Sequence, residues 1–172
     1  ACLTFVIEYE DNVVGVLYMQ RIFAKNMKKV NSLYLEKYRT DSGDCIQAIA
    51  LNVFPEYQNL GLGFELLEFA LEYCSLDETV KTVCAVTRCR DCVKSGFVSQ
   101  LEYMKNIFHD GIFDDPILKF HQLHGAKVIG LIPHYRPMDL DNQGYGVLVT
   151  YKIKERPWVN SVLCKGNVRK EN

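Results

Sequence analysis

Apolar and polar residues alternate from Leu3 to Tyr9, stop at Glu10-Asp11-Asn12, and alternate again from Val13 to Ile22. Period-two alternation either side of a short polar turn predicts a β-hairpin. A polar segment follows (Lys25 to Gly43), then a β-rich run from Cys45 to Val53. Leu62, Leu66, Leu67, Phe69, Ala70 and Tyr73 recur at helical spacing, which predicts a helix with Glu65, Glu68 and Glu72 on its other side. Thr79 to Thr87 reads as a buried strand, parallel to the one before because a helix connects them. The stretch from Arg90 to Asp115 predicts a helix around Phe97–Phe108, closed by Asp114-Asp115-Pro116. Ile117 to His124 predicts a short helix stopped by Gly125. Ala126–His134 and Tyr145–Lys154 are the last two predicted strands, with the polar loop Arg136 to Gly144 between them. No internal repeat is visible, and the segment from Glu155 reads as a C-terminal tail or linker, residues 155–172.

Composition narrows the classes. A chain of 172 residues that is 48% apolar can bury a full core in one domain, expected over residues 1–154. Its net charge of −1 gives no reason to expect a nucleic-acid partner. No apolar run approaches the roughly 20 residues needed to cross a bilayer, and the opening residues pattern as a strand rather than a signal peptide. The seven cysteines are odd in number and scattered, which suggests reduced thiols in a cytoplasmic setting. Cys89-Arg-Asp-Cys92 is a CxxC without a second pair at zinc spacing, so no metal is expected.

The densest signal is Leu51-Asn-Val-Phe-Pro-Glu-Tyr-Gln-Asn-Leu-Gly-Leu-Gly63, a strand end followed by a Gln-x-x-Gly-x-Gly loop into a helix. Such a loop stacks main-chain N–H groups at a helix N-terminus, a site for phosphate or pyrophosphate. Gly61 and Gly63 lack Cβ, so a ligand can approach the main chain. A few glycines before a helix are more often only a turn. The spacing here, L-x-V-x-P-x-x-Q-x-x-G-x-G, resembles the coenzyme A loop of the GNAT acyltransferase superfamily and is not the dinucleotide fingerprint. The resemblance implies an α/β (α+β) fold with a mixed central sheet, a splayed pair of parallel strands, flanking helices and a C-terminal β-hairpin. It implies that the amides of Gln58, Asn59, Leu60, Gly61, Leu62 and Gly63 surround the pyrophosphate and that Leu51 and Val53 pair with the pantetheine amides. The strands are expected to part after Val53, ahead of Pro55. A full GNAT domain also has a strand and one or two helices ahead of the first hairpin; this sequence opens on the hairpin.

Phe120-His121-Gln122-Leu123-His124-Gly125 occupies the place of the GNAT Phe-Tyr-x-x-x-Gly pattern, whose tyrosine protonates the departing thiolate. Here that position is His121, and Cys45–Leu51 carries no acid-base glutamate. Taken singly, His121 reads as a helix-surface histidine, Thr87 as an ordinary strand residue and Arg136 as a solvated loop charge. Together, with Val86-Thr87-Arg88 and His134-Tyr-Arg-Pro-Met-Asp139, they resemble the GNAT-like domains of polyketide synthase loading modules. That resemblance covers nearly all of residues 1–154 and accounts for the insertion between Arg90 and Asp115. It implies that His121, Thr87 and Arg136 are the catalytic residues of a malonyl-CoA decarboxylase. The acetyl thioester would then be passed to the phosphopantetheine thiol of an acyl carrier protein, beside neighbouring synthase domains. An acetyl-CoA-dependent N-acetyltransferase and a non-catalytic acyl-CoA-binding domain stay open as alternatives.

Overall fold

The computed structural model describes residues 2–96 and 99–154; the expected tail and the first residues of the expected 97–108 helix lie outside them. Strands β1 (Cys2–Tyr9) and β2 (Asn12–Ile22) form the hairpin, and β3 (Cys45–Val53) lies antiparallel to β2. Helix α1 (Leu62–Ser75) crosses to β4 (Thr82–Thr87), which is parallel to β3 and begins three residues later than the Thr79 expected. After α2 (Gln100–Asn106) comes a small hairpin of β5 (Phe108–His109) and β6 (Ile112–Phe113), which the sequence pattern did not suggest. Helix α3 (Pro116–Leu123) leads into β7 (Ala126–Ile132) and β8 (Gly146–Tyr151), an antiparallel pair. The main sheet runs β1-β2-β3-β4-β8-β7.

Side chains alternate between the two faces of each strand, and β4 divides cleanly. Val83 and Ala85 join a cluster with Leu66, Leu67, Leu71 and Leu118 from the helices. Cys84 and Val86 face the other way, onto Val30 and Tyr135 from the connecting segments. Helix α1 buries Leu66, Leu67, Ala70, Leu71 and Cys74, each Leu worth about 1.5–3 kcal/mol of transfer free energy. Phe69 and Tyr73, expected to be buried, are half exposed and set edge-on against Phe5. Glu68 does not face outward as its helical spacing suggested. It turns in to the buried His124.

The parallel ladder between β3 and β4 ends at Ala48–Ala85, although both strands continue. The cause lies on the other edge of β3. Tyr18 sits opposite Ala50 but Met19 opposite Ala48, so Ile49 is an extra residue, a β-bulge. A bulge bends its strand and sharpens the twist. The strands therefore part at Ile49, earlier than the Val53 expected from Pro55.

Helix α3 is held at its start by Asp115. One carboxylate oxygen accepts from Ile117 N (3.0 Å) and Leu118 N (3.2 Å), and the other from Arg90 N (2.8 Å) and the Tyr103 hydroxyl (2.8 Å). The buried carboxylate thus ties the 90–115 insertion to the helix cap. Gly125, at φ +77°, ends the helix.

Candidate active site

Beyond the bulge, β3 has one edge without a strand. The Phe54 N–H donates to the Val14 carbonyl, which makes Gly15–Val53 a non-hydrogen-bonded pair. The main-chain groups of Val53, and two residues earlier those of Leu51, therefore point away from β2 to the open edge. An extended amide-bearing ligand could pair there as a strand would. The Val53 carbonyl is already taken by Gln58 Nε2 at 2.9 Å, so the Gln58 side chain closes the loop onto β3.

Gly61 stands at the N-cap of α1 with φ +80°, and no side chain caps the helix. The N–H groups of Leu62 and Gly63 thus open toward a cavity of about 360 Å³ lined by Leu51, Val53, Gln58, Asn59 and Phe64, among others. A Cβ on Gly61 would meet nothing within 4 Å, and one on Gly63 would lie 3.2 Å from Leu51 Cδ2. Both glycines keep the main chain approachable, and at Gly61 the left-handed conformation also favours glycine. The Leu60 side chain is exposed to solvent and does not line this cavity.

A second cavity of about 480 Å³ adjoins the first, sharing Leu51 and Phe120. Consecutive residues of β3 (48–52) and of the end of β4 and the residue after it (85–88) line it. Residues of both parities can do so only if the cavity is the slot between the parted strands rather than a pocket on one face. Thr87, His121 and Arg136 all line this slot. Thr87 shares parity with Val83 and Ala85 and faces the helices, as does His121 from α3. Arg136 follows Tyr135 on the other face, where its N–H donates to the Gly144 carbonyl (3.1 Å) across the loop.

The His121 ring is partly buried, and its Nδ1 lies 2.5 Å from the hydroxyl of Tyr151, itself 1% exposed. Burial, with the neighbouring His124 adding to it, pushes the imidazole pKa down to about 4, so the ring is neutral at pH 7. Arg136 contributes a different signal: its Nε is buried without a hydrogen-bond partner, while its guanidinium lies 5.9 Å from the Tyr135 ring centroid. A buried, unmatched guanidinium N–H is costly unless an anion meets it.

Residues 1–92 match the Acetyltransferase (GNAT) family. The chain belongs to it. Among solved structures, this GNAT chain is similar to the loading GNATL domain of CurA from Lyngbya majuscula: 42% identity, TM-score 0.82, covering 89% of this chain and 77% of that one. The GphF GNAT-like decarboxylase in complex with isobutyryl-CoA follows at 33% identity and TM-score 0.79, covering 87% and 77%. The ribosomal-protein-S18-alanine N-acetyltransferase of Escherichia coli shares the fold alone, at 13% identity and TM-score 0.54, covering 91% and 72%. No curated protein sequence is similar to this one.

The sequence pattern missed three features of this GNAT site. Tyr151 carries no motif; only its place on the last buried strand was visible. Arg88 also lines the slot, with Asp139 at 3.8 Å. The Glu68–His124 pair joins α1 to the end of α3, the imidazole lying against Phe64 (ring centroids 4.0 Å) and edge-on to Phe120 (4.7 Å). The CxxC is buried: desolvation pushes the Cys89 thiol up to about 12, and Gln100 Nε2 donates to its sulfur at 3.0 Å. A thiol held protonated is a poor metal ligand and a poor nucleophile. Among the described residues no group of three or more His, Cys, Asp or Glu could hold a metal, and no helix is long and apolar enough to cross a membrane.

Proposed function

We propose that this GNAT chain decarboxylates malonyl-CoA and passes the resulting acetyl group to the thiol of a phosphopantetheine-bearing acyl carrier protein in a polyketide synthase loading module. The observation that carries the reading is the slot. Three residues from β4, α3 and the loop after β7 line one cavity, next to the cavity of the glycine loop. The similarity to the CurA loading GNATL domain and the GphF decarboxylase supports the same reading, the latter through its isobutyryl-CoA complex.

The chemistry follows from the donors. The thioester lies with its pantetheine along the open edge of β3 and its pyrophosphate at the start of α1. The bond between the α-carbon and the carboxylate breaks, CO2 leaves, and the electron pair passes into the thioester as an enolate. The Thr87 hydroxyl and His121 meet the developing oxyanion, which is where preorganised donors act most strongly. With the Tyr151 hydroxyl donating to Nδ1, the ring proton sits on Nε2 and is free for the substrate. A ring neutral at pH 7 acts as a hydrogen-bond donor rather than as an acid, as a neutral imidazole does in other enolising enzymes. The proton that completes the acetyl group then comes from solvent. Arg136 recognises the carboxylate through its unmatched Nε, and it selects substrate more than it drives the step, because a tight grip would stabilise the ground state.

An N-acetyltransferase would need a base for its amine, and β3 offers none between Cys45 and Leu51. The test is incubation with malonyl-CoA and with acetyl-CoA, each with and without a phosphopantetheinylated carrier protein. CO2 release and acetyl-carrier formation are followed by mass spectrometry. Release from malonyl-CoA that is lost in His121→Ala is the expected result; wild-type release in that variant overturns the reading.

A further inference from the structure

The net charge of −1 hides a separation of charge across the sheet. Between Lys25 and Arg39 the chain carries five basic residues and only Glu36 as an acid. This segment covers the face of the sheet opposite α1: Val30 packs with Tyr135 and Cys84, and Gln20 Nε2 reaches the Leu35 carbonyl at 2.9 Å. It is tied directly to the loop that carries Arg136. Ser32 N–H donates to the Tyr135 carbonyl (2.9 Å), and Asn31 Nδ2 to the His134 carbonyl (2.8 Å). Lys25, Lys28 and Lys29 are exposed. So are large apolar side chains of this segment and of the Arg136 loop, with Tyr34 at 65%, Met138 at 85% and Leu140 at 81%. On the other face α1 and its flanks are the reverse: from Glu56 to Glu78 there are six acids and no base, although Glu68 turns in to His124 and Asp77 pairs with Arg21.

We propose that the surface of Lys25, Lys28, Lys29, Tyr34, Met138 and Leu140 is the docking site of the acyl acceptor, an acidic carrier domain whose thiol-tipped arm enters the slot past Arg136. The inference rests on the function proposed above and adds where its partner binds. Complementary charge steers encounter and fixes the side of approach, while the acidic α1 face repels the same partner. Exposed apolar residues beside the lysine-rich segment supply the short-range contact. The CoA thioester enters along β3 and α1, so donor and acceptor reach the slot from opposite faces without competing.

The experiment uses an acidic, phosphopantetheinylated acyl carrier protein, labelled for fluorescence anisotropy, with free pantetheine as the small acceptor. Lys28→Glu/Lys29→Glu should raise the carrier Kd about tenfold or more and flatten its salt dependence. Met138→Ala should weaken binding by roughly threefold to tenfold. CO2 release from malonyl-CoA and the KM for free pantetheine should stay at the wild-type level. Glu72→Lys/Glu78→Lys, on the opposite face, should leave the carrier Kd within about twofold. An unchanged carrier Kd in the lysine variant, an equal effect from the α1-face variant, or no carrier binding by the wild type would each overturn the docking site. Failure of the functional reading shows separately, as absence of CO2 release without any carrier.

Discussion

The two ends of the ligand path are built from different materials. At the glycine loop the groups that face a ligand are main-chain: the free edge of Leu51 and Val53 and the uncapped N–H groups after Gly61. In the slot they are side chains delivered by three elements far apart in sequence, Thr87, His121 and Arg136. A main-chain site depends on local conformation, so many residues can occupy it provided the glycines and the strand end remain. A side-chain site depends on each group separately. The first should fail only when the backbone or its clearance is altered, the second at any single substitution.

That contrast can be tested from the most damaging change downward. His121→Ala and Thr87→Val should each slow CO2 release by about 10²–10³-fold, the usual cost of one oxyanion donor, with CoA affinity close to normal by calorimetry. Because both act on one transition state, the double variant should be less than additive. His121→Tyr restores the common acetyltransferase residue. It should lose decarboxylation without gaining amine acetylation, and an efficient acetyltransferase would break the comparison.

Arg136→Ala should raise the KM for malonyl-CoA by roughly ten- to a hundred-fold, the worth of a charge-assisted contact, and leave acetyl-CoA binding much less affected. Equal losses for both ligands would move Arg136 from the carboxylate to the shared CoA portion. At the loop, Gly61→Val places a branched Cβ in open space at φ +80°, so both strain and bulk oppose the ligand. CoA affinity should fall about tenfold or more in calorimetry, whereas Leu60→Ala, whose side chain faces solvent, should stay within about twofold. A large Leu60→Ala effect would show that side chains matter at that end as well.

The pH profile sharpens the comparison further. His121 titrates at about 4 in the fold, against an ordinary value near 6.5. The unfolded chain therefore binds the extra proton first as pH falls. This contribution to stability is complete above about pH 6.5 and is lost as pH drops toward 4, by up to about 3 kcal/mol before solvent screening. His121→Gln should remove that part of the acid sensitivity in denaturant melts. For the same reason kcat for CO2 release should be flat from about pH 5 to 8. A fall in rate above pH 6.5 would mean that the imidazolium, not the neutral ring, is the donor.

Much of the fold was legible because its elements are periodic. The β1–β2 hairpin, β3 to its exact ends, and the stop of α3 follow from alternation, helical spacing and Gly125, whereas Asp115, read as closing the segment before, proved to cap α3. The glycine loop into α1 was legible because its conformational demands fall on consecutive residues. The short β5–β6 hairpin was not, since two-residue strands have too few positions to show a period.

Local sequence determines what depends on neighbouring residues: which segments extend, which coil, and where a glycine leaves the main chain open. It also supplied Thr87, His121 and Arg136 as a set, through their resemblance to a family pattern. The tertiary structure decided that the parting of β3 and β4 begins at Ile49, because a bulge exists only relative to the partner strand β2. It also decided that Glu68 turns inward to His124 and that Tyr151 meets His121. The basic 25–39 segment is tied to the loop that carries Arg136 for the same reason. Each of these is a contact between residues distant along the chain, and no local period records which ones the folded sheet will bring together.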